Sequence, residues 1–172
     1  MGPIGIGWIG EGEPERSLLE HVVRHVSKAF RAEVTQLRAP GTPRHAFDQR
    51  RSQWASGEIL KWLLPLAPPG GKVLGVTDRD LFIPILTYVF GEAQLGGAAA
   101  VVSTARLGDE LDGPRVVRER VAKEAVHELG HCFGLRHCHT PGCVMGRSPS
   151  VREVDEKGQG LCVDCRARLQ GT

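Results

Sequence analysis

The chain reads His-Glu-Leu-Gly-His-Cys-Phe-Gly-Leu-Arg-His from residue 127 to residue 137, and this stretch guides the interpretation of everything around it. Its first five residues form an H-E-x-x-H pentad inside residues 116–133, which have helical periodicity. Residues four apart lie on the same face of a helix, so the imidazoles of His127 and His131 can reach one metal ion with Glu128 beside it. The stretch therefore predicts a helix that carries two metal ligands and a carboxylate.

A glycine and a third histidine complete the pattern. Gly134 follows His131 by three residues, where a glycine can turn the chain back, and His137 follows three residues later. The full H-E-x-x-H-x-x-G-x-x-H pattern is far more specific than the pentad alone, for which the alternative is an exposed helix face. Three imidazoles leave zinc an exchangeable position for water, whose proton Glu128 would accept. We therefore expect peptide-bond hydrolysis by a zinc-activated water with Glu128 as general base.

All five cysteines lie between residues 132 and 165. Four of them form two close pairs separated by a loop, as in a closed tetrahedral zinc site with four thiolate ligands. The alternative is two disulfides. We expect the chain in the cytoplasm, because its start lacks the pattern of a signal peptide, and disulfides are rare in that reducing compartment. Cys132 is expected to be a small buried residue of the helix, and His139 competes with His137 as third imidazole. The predicted thiolate ligands are Cys138, Cys143, Cys162 and Cys165.

The preceding part of the chain alternates strand and helix patterns, which predicts a largely parallel sheet covered by helices. Residues 98–104 are small or β-branched and are interpreted as an edge strand, and a short helix is expected at 151–157. The tail after residue 134 is poor in apolar residues and cannot bury much surface, so something other than a hydrophobic core must hold it. The predicted strands are 3–9, 32–37 and 72–77, and the predicted helices are 14–30 and 48–64.

Composition sets limits on the kind of protein. A length of 172 residues, 41% hydrophobic residues and a net charge of +2 suit one globular domain and give no electrostatic reason for nucleic acid as a partner. No apolar run is long enough for a membrane span. The G-x-G-x-x-G pattern at residues 5–10 lacks the context of a dinucleotide site, and His21 and His25 are interpreted as a helix face.

The motifs together resemble those of the archaemetzincins, a branch of the metzincin zinc peptidases. The resemblance is carried by residues 127–137, by Cys138-x-x-x-x-Cys143-x-Met145 and by Cys162-x-x-Cys165, and it extends to Phe90–Gly97. It implies one compact α/β (α+β) domain over residues 1–172, with a mixed twisted sheet and an antiparallel edge strand above the cleft. We expect an N-terminal subdomain, residues 1–133, with the active-site helix, and a zinc-stapled C-terminal subdomain, residues 134–172.

The resemblance also implies roles for individual residues. Two zinc ions are expected per chain, one catalytic on the three histidines and one structural on the four cysteines, with Met145 as the Met-turn beneath the catalytic site. A peptide or protein substrate would pair with the edge strand, and we expect a monomer. The alternative is a non-catalytic zinc or peptide-binding protein with this fold, which would have no need of Glu128. The expected substrate-binding residues are Gly97, Ala98, Ala99, Ala100, Val101 and Val102.

Overall fold

A computed structural model describes residues 1–38, 41–109 and 111–170 of the chain, so residues 171–172 of the predicted C-terminal subdomain lie outside it. It contains a five-stranded sheet, a small three-stranded sheet and five α-helices within those residues. The strands are β1 Ile4–Ile9, β2 Val34–Leu37, β3 Phe47–Asp48, β4 Gln53–Ala55, β5 Lys72–Thr77, β6 Leu81–Phe82, β7 Gly91–Ala93 and β8 Ala99–Ser103. The helices are α1 Arg16–Phe30, α2 Ser56–Leu63, α3 Pro114–Cys132, α4 Val151–Glu156 and α5 Val163–Gln170.

The main sheet has the order β2-β1-β5-β8-β7, in which the first four strands are parallel and β7 is antiparallel to β8. Its central strands are buried on both faces because successive side chains alternate between two helical layers. Leu74 and Val76 of β5 join the core that contains α1 and α3, whereas Val73 joins the core beneath α2. This packing holds α3, with its H-E-x-x-H pentad, against the sheet.

The α/β class, the mixed sheet and the antiparallel edge strand agree with the sequence predictions. The predicted strand 72–77 is β5, and the predicted helix at 116–133 is α3, which begins at Pro114. Helix α5 was missed, because its one buried face is short and includes a cysteine. Among the described residues, none of the helices is both long and apolar enough to cross a membrane.

The predicted helix 48–64 was wrong in its first half. Only Ser56–Leu63 is α-helical, and the preceding residues form the hairpin of β3 and β4. The Asp48 carboxylate accepts hydrogen bonds from the backbone N–H groups of Arg50 and Arg51, at 2.8 and 3.2 Å, and so stabilises a turn instead of a helix. Trp54 then packs on Phe47 across the hairpin, with ring centroids 5.3 Å apart.

The edge strand was also placed wrongly. We expected it at Gly97, Ala98, Ala99, Ala100, Val101 and Val102, but β8 lies between β5 and β7, and the antiparallel edge strand is β7. Strand β7 folds back onto β8 through a tight turn, in which the Gly97 N–H donates to the Gln94 carbonyl oxygen at 2.8 Å. The small side chains of β8 reflect burial under helices on both faces, since Ala99–Val102 are 0% exposed.

Candidate active site and metal centres

Helix α3 carries the first two predicted ligands and the carboxylate. His127 and Glu128 are buried, and His131 is half-buried one turn further along. The helix ends at Cys132, and Gly134 takes φ +84°, a left-handed conformation that suits glycine. The backbone N–H groups of Gly134 and Leu135 donate to the carbonyls of the last helical turn at 2.9 Å each. This turn sends the chain back along the end of the helix.

The turn brings His137 to the other two histidines. One ring nitrogen from each of His127, His131 and His137 lies within 4.8 Å of the other two. The Nδ1 atom of His127 lies 2.9 Å from the Val144 carbonyl oxygen, and that of His131 lies 2.7 Å from the Leu135 carbonyl oxygen. Both carbonyls require an Nδ1–H donor, so the Nε2 atoms, 3.1 Å apart, both present lone pairs to the same point.

The three imidazoles are held in the neutral state that metal binding needs. Burial lowers the pKa of His127 well below the usual value, and the charge of Lys157 adds to the effect. Burial is also the main cause that lowers the pKa of His131 and of His137, and for His137 the neighbouring His131 and Arg147 contribute. Three neutral nitrogens with converging lone pairs fit a cation such as zinc.

Glu128 lies beside this cluster in a cleft of 650 Å³. Burial raises the pKa of its carboxyl group well above the usual value, and the nearby Glu124 carboxylate adds to the increase. One part of the cleft is lined by residues 86–91, which lead into β7, and another by residues 147–149. Glu128 is therefore a proton acceptor of raised basicity at the floor of an open cleft.

A second carboxylate lies one helical turn before Glu128. Glu124 also lines the cleft, and its Oε1 atom lies 2.5 Å from Lys157 Nζ in an ion pair whose side chains are 3% and 4% exposed. The Ser148 hydroxyl donates to the same oxygen at 3.3 Å. Lys157 Nζ is also 3.4 Å from Nδ1 of His127. Glu124 is thus directly ion-paired inside the protein, whereas the charge of Lys157 acts on Glu128 only from a distance and offsets part of the increase in its pKa.

Met145, which the resemblance makes the Met-turn residue, packs against the active-site helix. Met145 is fully buried and lies against Gly130 of α3, where an added Cβ would be 2.4 Å from its sulfur. Its carbonyl oxygen accepts a hydrogen bond from the Cys138 N–H at 2.9 Å. Met145 therefore connects the active-site helix to the segment that follows His137.

The four predicted cysteine ligands form a second cluster. Their sulfur atoms lie within 4.8 Å of one another, and all four are free thiols, so the structure does not contain the alternative of two disulfides. Backbone N–H groups point at several sulfurs, and the N–H of Cys165, together with the neighbouring thiols, lowers the pKa of Cys162 to about 6. Such hydrogen bonds favour thiolates, the form that binds zinc. Burial instead raises the pKa of Cys143 and of Cys165. The cluster comprises Cys138, Cys143, Cys162 and Cys165.

The remaining histidines and the fifth cysteine lie outside both clusters. Within the described residues, the group of three histidines includes His137 and not His139. The rings of His21 and His25 on helix α1 lie in tilted contact, with centroids 4.2 Å apart, and among the described residues they join neither group. Cys132 Sγ lies 3.3 Å from the Ala99 carbonyl oxygen, and burial raises the pKa of this thiol to about 12. It is a core residue, as its helical position predicted.

Several residues of the cleft were not found from the sequence. Glu124 had a usable signal, since it precedes Glu128 by four residues and shares its helix face. No sequence signal points to Lys157 or Arg147, because only the tertiary fold brings Lys157 to α3 and Arg147 to the cleft. Tyr88 also lines the cleft, with Arg106 stacked 4.8 Å from its ring centroid.

Comparison with known proteins finds relatives that match most of the chain. The profile of peptidase family M54 matches residues 69–171. The archaemetzincin of Methanopyrus kandleri is 40% identical over 154 residues, which cover 90% of this chain and 87% of the relative. That of Halobacterium salinarum strain R1 is 41% identical over 157 residues, with 85% and 90% coverage.

Solved structures agree with these relatives. The crystal structure of the Methanopyrus kandleri archaemetzincin has a TM-score of 0.86 at 36% identity, and it covers 99% of this chain and 94% of its own. The archaemetzincin of Archaeoglobus fulgidus, solved with malonate, has a TM-score of 0.79 at 37% identity, with 96% and 99% coverage. The similarity therefore includes the N-terminal strands and helices as well as the region of the metal motifs.

Proposed function

The chain belongs to peptidase family M54, the archaemetzincins, and is a zinc metallopeptidase; from this premise we propose that Glu128 is the general base of peptide-bond hydrolysis at a zinc ion bound by His127, His131 and His137. The observation that carries the proposal is the convergence of three neutral imidazoles within 4.8 Å, beside a buried carboxylate in an open cleft.

The roles of the side chains follow from their surroundings. Zinc bound by the three imidazoles would supply a Lewis acid that acidifies a water molecule and polarises the substrate carbonyl. Glu128 would accept the proton of that water and deliver it to the nitrogen of the leaving amine, and its raised pKa makes it suited to both transfers. The Val144 and Leu135 carbonyls would fix the ring orientation of His127 and His131 through their Nδ1–H groups.

Peptide substrates would lie along β7 rather than along β8. Within the described residues β7 pairs with β8 alone, so its other edge is available to a peptide strand. The Phe90 carbonyl and the Gln94 N–H bond to β8, so by alternation the N–H and C=O groups of Gly91 and Ala93 point away from it. An extended peptide would add to this edge, next to Glu128.

The four cysteines would hold a second, structural zinc ion, which gives two zinc ions per chain. Four sulfurs within 4.8 Å, some receiving backbone N–H groups, support a closed four-thiolate site. A place in the cytoplasm, where thiols stay reduced and available to a metal, fits such a site. We propose that the protein acts as a monomer, since residues of one chain line the cleft and supply both clusters.

The test is the Glu128→Gln variant loaded with zinc. We expect it to keep the zinc content of the wild type and to lose about 10²–10⁴-fold in kcat on a peptide library, because the amide cannot accept the proton. Glu119→Gln, which changes an acid further from the pentad on the same helix, is the matched control and should keep activity. Equal turnover by Glu128→Gln would contradict the mechanism, and peptide binding without hydrolysis by the wild type would favour the non-catalytic alternative.

A further inference from the structure

Arg147 differs from every other charged residue that lines the cleft. The lining contains three such side chains: Glu124, Glu128 and Arg147. Glu124 is compensated by Lys157 at 2.5 Å, and the proposed function assigns Glu128 to proton transfer. The exposed Arg147 side chain makes no hydrogen bond or ion pair with the part of the chain that the structure describes. It is thus a cation at the cleft without an ion-pair partner among residues 1–38, 41–109 and 111–170.

Two other arginines near the cleft stabilise the segments that line it. Arg51 donates to the carbonyl oxygens of Leu86 and Thr87 at 2.8 and 3.2 Å, which fixes the segment before β7. Arg106 forms an ion pair with Asp80 at 2.6 Å and stacks on Tyr88. Among the described residues Arg147 has no comparable structural contact, so its position calls for a different explanation.

The backbone that carries Arg147 is fixed on both sides. On one side, the Gly146 N–H donates to the Cys143 carbonyl oxygen at 3.0 Å, next to the thiol cluster. On the other, the Ser148 hydroxyl donates to Glu124 at 3.3 Å, and Ser150 caps helix α4. Arg147 therefore lines the cleft from a constrained backbone, and it is close enough to His137 for its charge to lower the pKa of that imidazole.

We propose that Arg147 is a specificity-determining residue that binds a carboxylate of the peptide substrate close to the scissile bond. A guanidinium group matches a carboxylate with two parallel hydrogen bonds, which an uncharged amide cannot reproduce. Because Lys157 compensates Glu124, that acid does not cancel the attraction. The carboxylate belongs either to an Asp or Glu side chain or to the C-terminus of a short peptide. This inference rests on the proposed function, because it takes the same cleft as the peptide site.

A binding experiment separates this inference from the catalytic mechanism. Zinc-loaded Glu128→Gln is titrated by calorimetry with N-acetylated peptides that contain a bond cleaved by the zinc-loaded wild type. The peptides differ only by Asp or Glu against Asn or Gln at the positions flanking that bond. A second pair differs only by a free or an amidated C-terminus. We expect at least one peptide with the carboxylate to bind about tenfold more tightly than its uncharged counterpart. A preference in the first set assigns the carboxylate to an Asp or Glu side chain, and a preference in the second pair assigns it to the C-terminus.

Variants of the arginine decide the assignment. The preference should disappear in Glu128→Gln/Arg147→Gln and change to a preference for Lys in Glu128→Gln/Arg147→Glu. Arg115→Gln in the same background removes an 86% exposed arginine at the other end of α3, with the same change in net charge, and should keep the preference. No carboxylate preference in the parent, or the same preference after Arg147→Gln, would overturn the inference. Hydrolysis by the zinc-loaded wild type, measured separately, tests the proposed function.

Discussion

Gly91 shows how closely the edge strand approaches the catalytic carboxylate. A Cβ atom at this position would lie 2.6 Å from the Val101 carbonyl oxygen and 2.8 Å from Cγ of Glu128. Real side chains do not tolerate contacts this short, and the nearer atom belongs to the backbone of a buried strand. The absence of a side chain at Gly91 therefore lets β7 lie directly beside Glu128.

We predict that Gly91→Ala lowers the free energy of unfolding by about 1–3 kcal/mol, because β7 must move away from β8 to fit the methyl group. Peptidase activity should fall more than stability alone explains, since the same methyl group displaces Glu128. Urea unfolding and hydrolysis of one reference peptide measure the two effects. Gly57→Ala is the matched control: an added Cβ there meets nothing within 4 Å, so it should stabilise α2 by about 0.5–1 kcal/mol. Wild-type stability and activity in Gly91→Ala would contradict this account.

Glu124 and Glu128 show that two carboxylates on one helix face can be given different roles by their neighbours. Both line the cleft, but only Glu124 has a lysine ammonium at 2.5 Å. Burial and the Glu124 charge both raise the pKa of Glu128. The Lys157 ammonium thus holds Glu124 in an ion pair and leaves Glu128 available for proton transfer.

At the level of elements, the Glu124–Lys157 pair ties helix α3 to the residue that follows α4. Its two side chains are among the few buried charged groups of the described chain. Lys157 also approaches the Gly146 carbonyl oxygen at 3.5 Å, next to Met145. Because both side chains are almost completely buried, the loss of either partner leaves an uncompensated buried charge.

We predict that Lys157→Met lowers the free energy of unfolding by about 3–5 kcal/mol, because Glu124 then remains buried without a cation. Adding Glu124→Leu to this variant should recover part of the loss, since neither charge then needs compensation. Arg152→Gln breaks the surface pair with Glu156, whose side chains are 82% and 59% exposed, and should cost less than about 1 kcal/mol. Urea unfolding at a fixed zinc concentration compares the four proteins. A loss below 1 kcal/mol in Lys157→Met would show that the pair is not structural.

The elements that local sequence predicted are those in which periodicity and chemistry agree. Residues 127–137 predicted a helix, a turn and a third histidine, because the 3.6-residue period and the conformational needs of Gly134 are local properties. The cysteine cluster followed from spacing alone, although it joins sulfurs up to 27 positions apart. The roles proposed for these residues stay predictions, whereas their proximity is a feature of the structure.

The predictions failed where tertiary contacts decide. β8 resembled an edge strand because small side chains suit both an edge and a strand packed between helices. The β3–β4 hairpin was included in a predicted helix because Trp54 extends the apolar spacing of α2. The hydrogen bonds of Asp48 favour a turn there, and the pairing of β4 with β6 holds the strand in place. Lys157 reaches Glu124 across 33 positions of sequence, which no local pattern contains.

At the scale of the whole molecule, the two clusters share one segment of chain. His137, a proposed ligand of the catalytic zinc, is followed directly by Cys138 of the thiol cluster. Cys143 and Cys165 are buried in the same core as α1 and α3, so the thiol cluster joins the tail to the main body of the fold. A metal ion there would fix the position of His137 as well as the tail, which supports treating residues 134–170 as a metal-stabilised subdomain.

We predict that the wild type binds two zinc ions per chain and that Cys162→Ser/Cys165→Ser binds no more than one, because it lacks half of the four-thiolate site. Four-thiolate zinc sites contribute on the order of 10 kcal/mol to folding, so this variant should lose the order of its tail. Elemental analysis measures the zinc content, and hydrogen exchange should show lost protection in α4 and α5 while β1 and β5 stay protected. Cys132→Ser, which changes the cysteine outside the cluster, should keep both zinc ions. Two zinc ions in the double variant, or one in the wild type, would refute the two-site assignment.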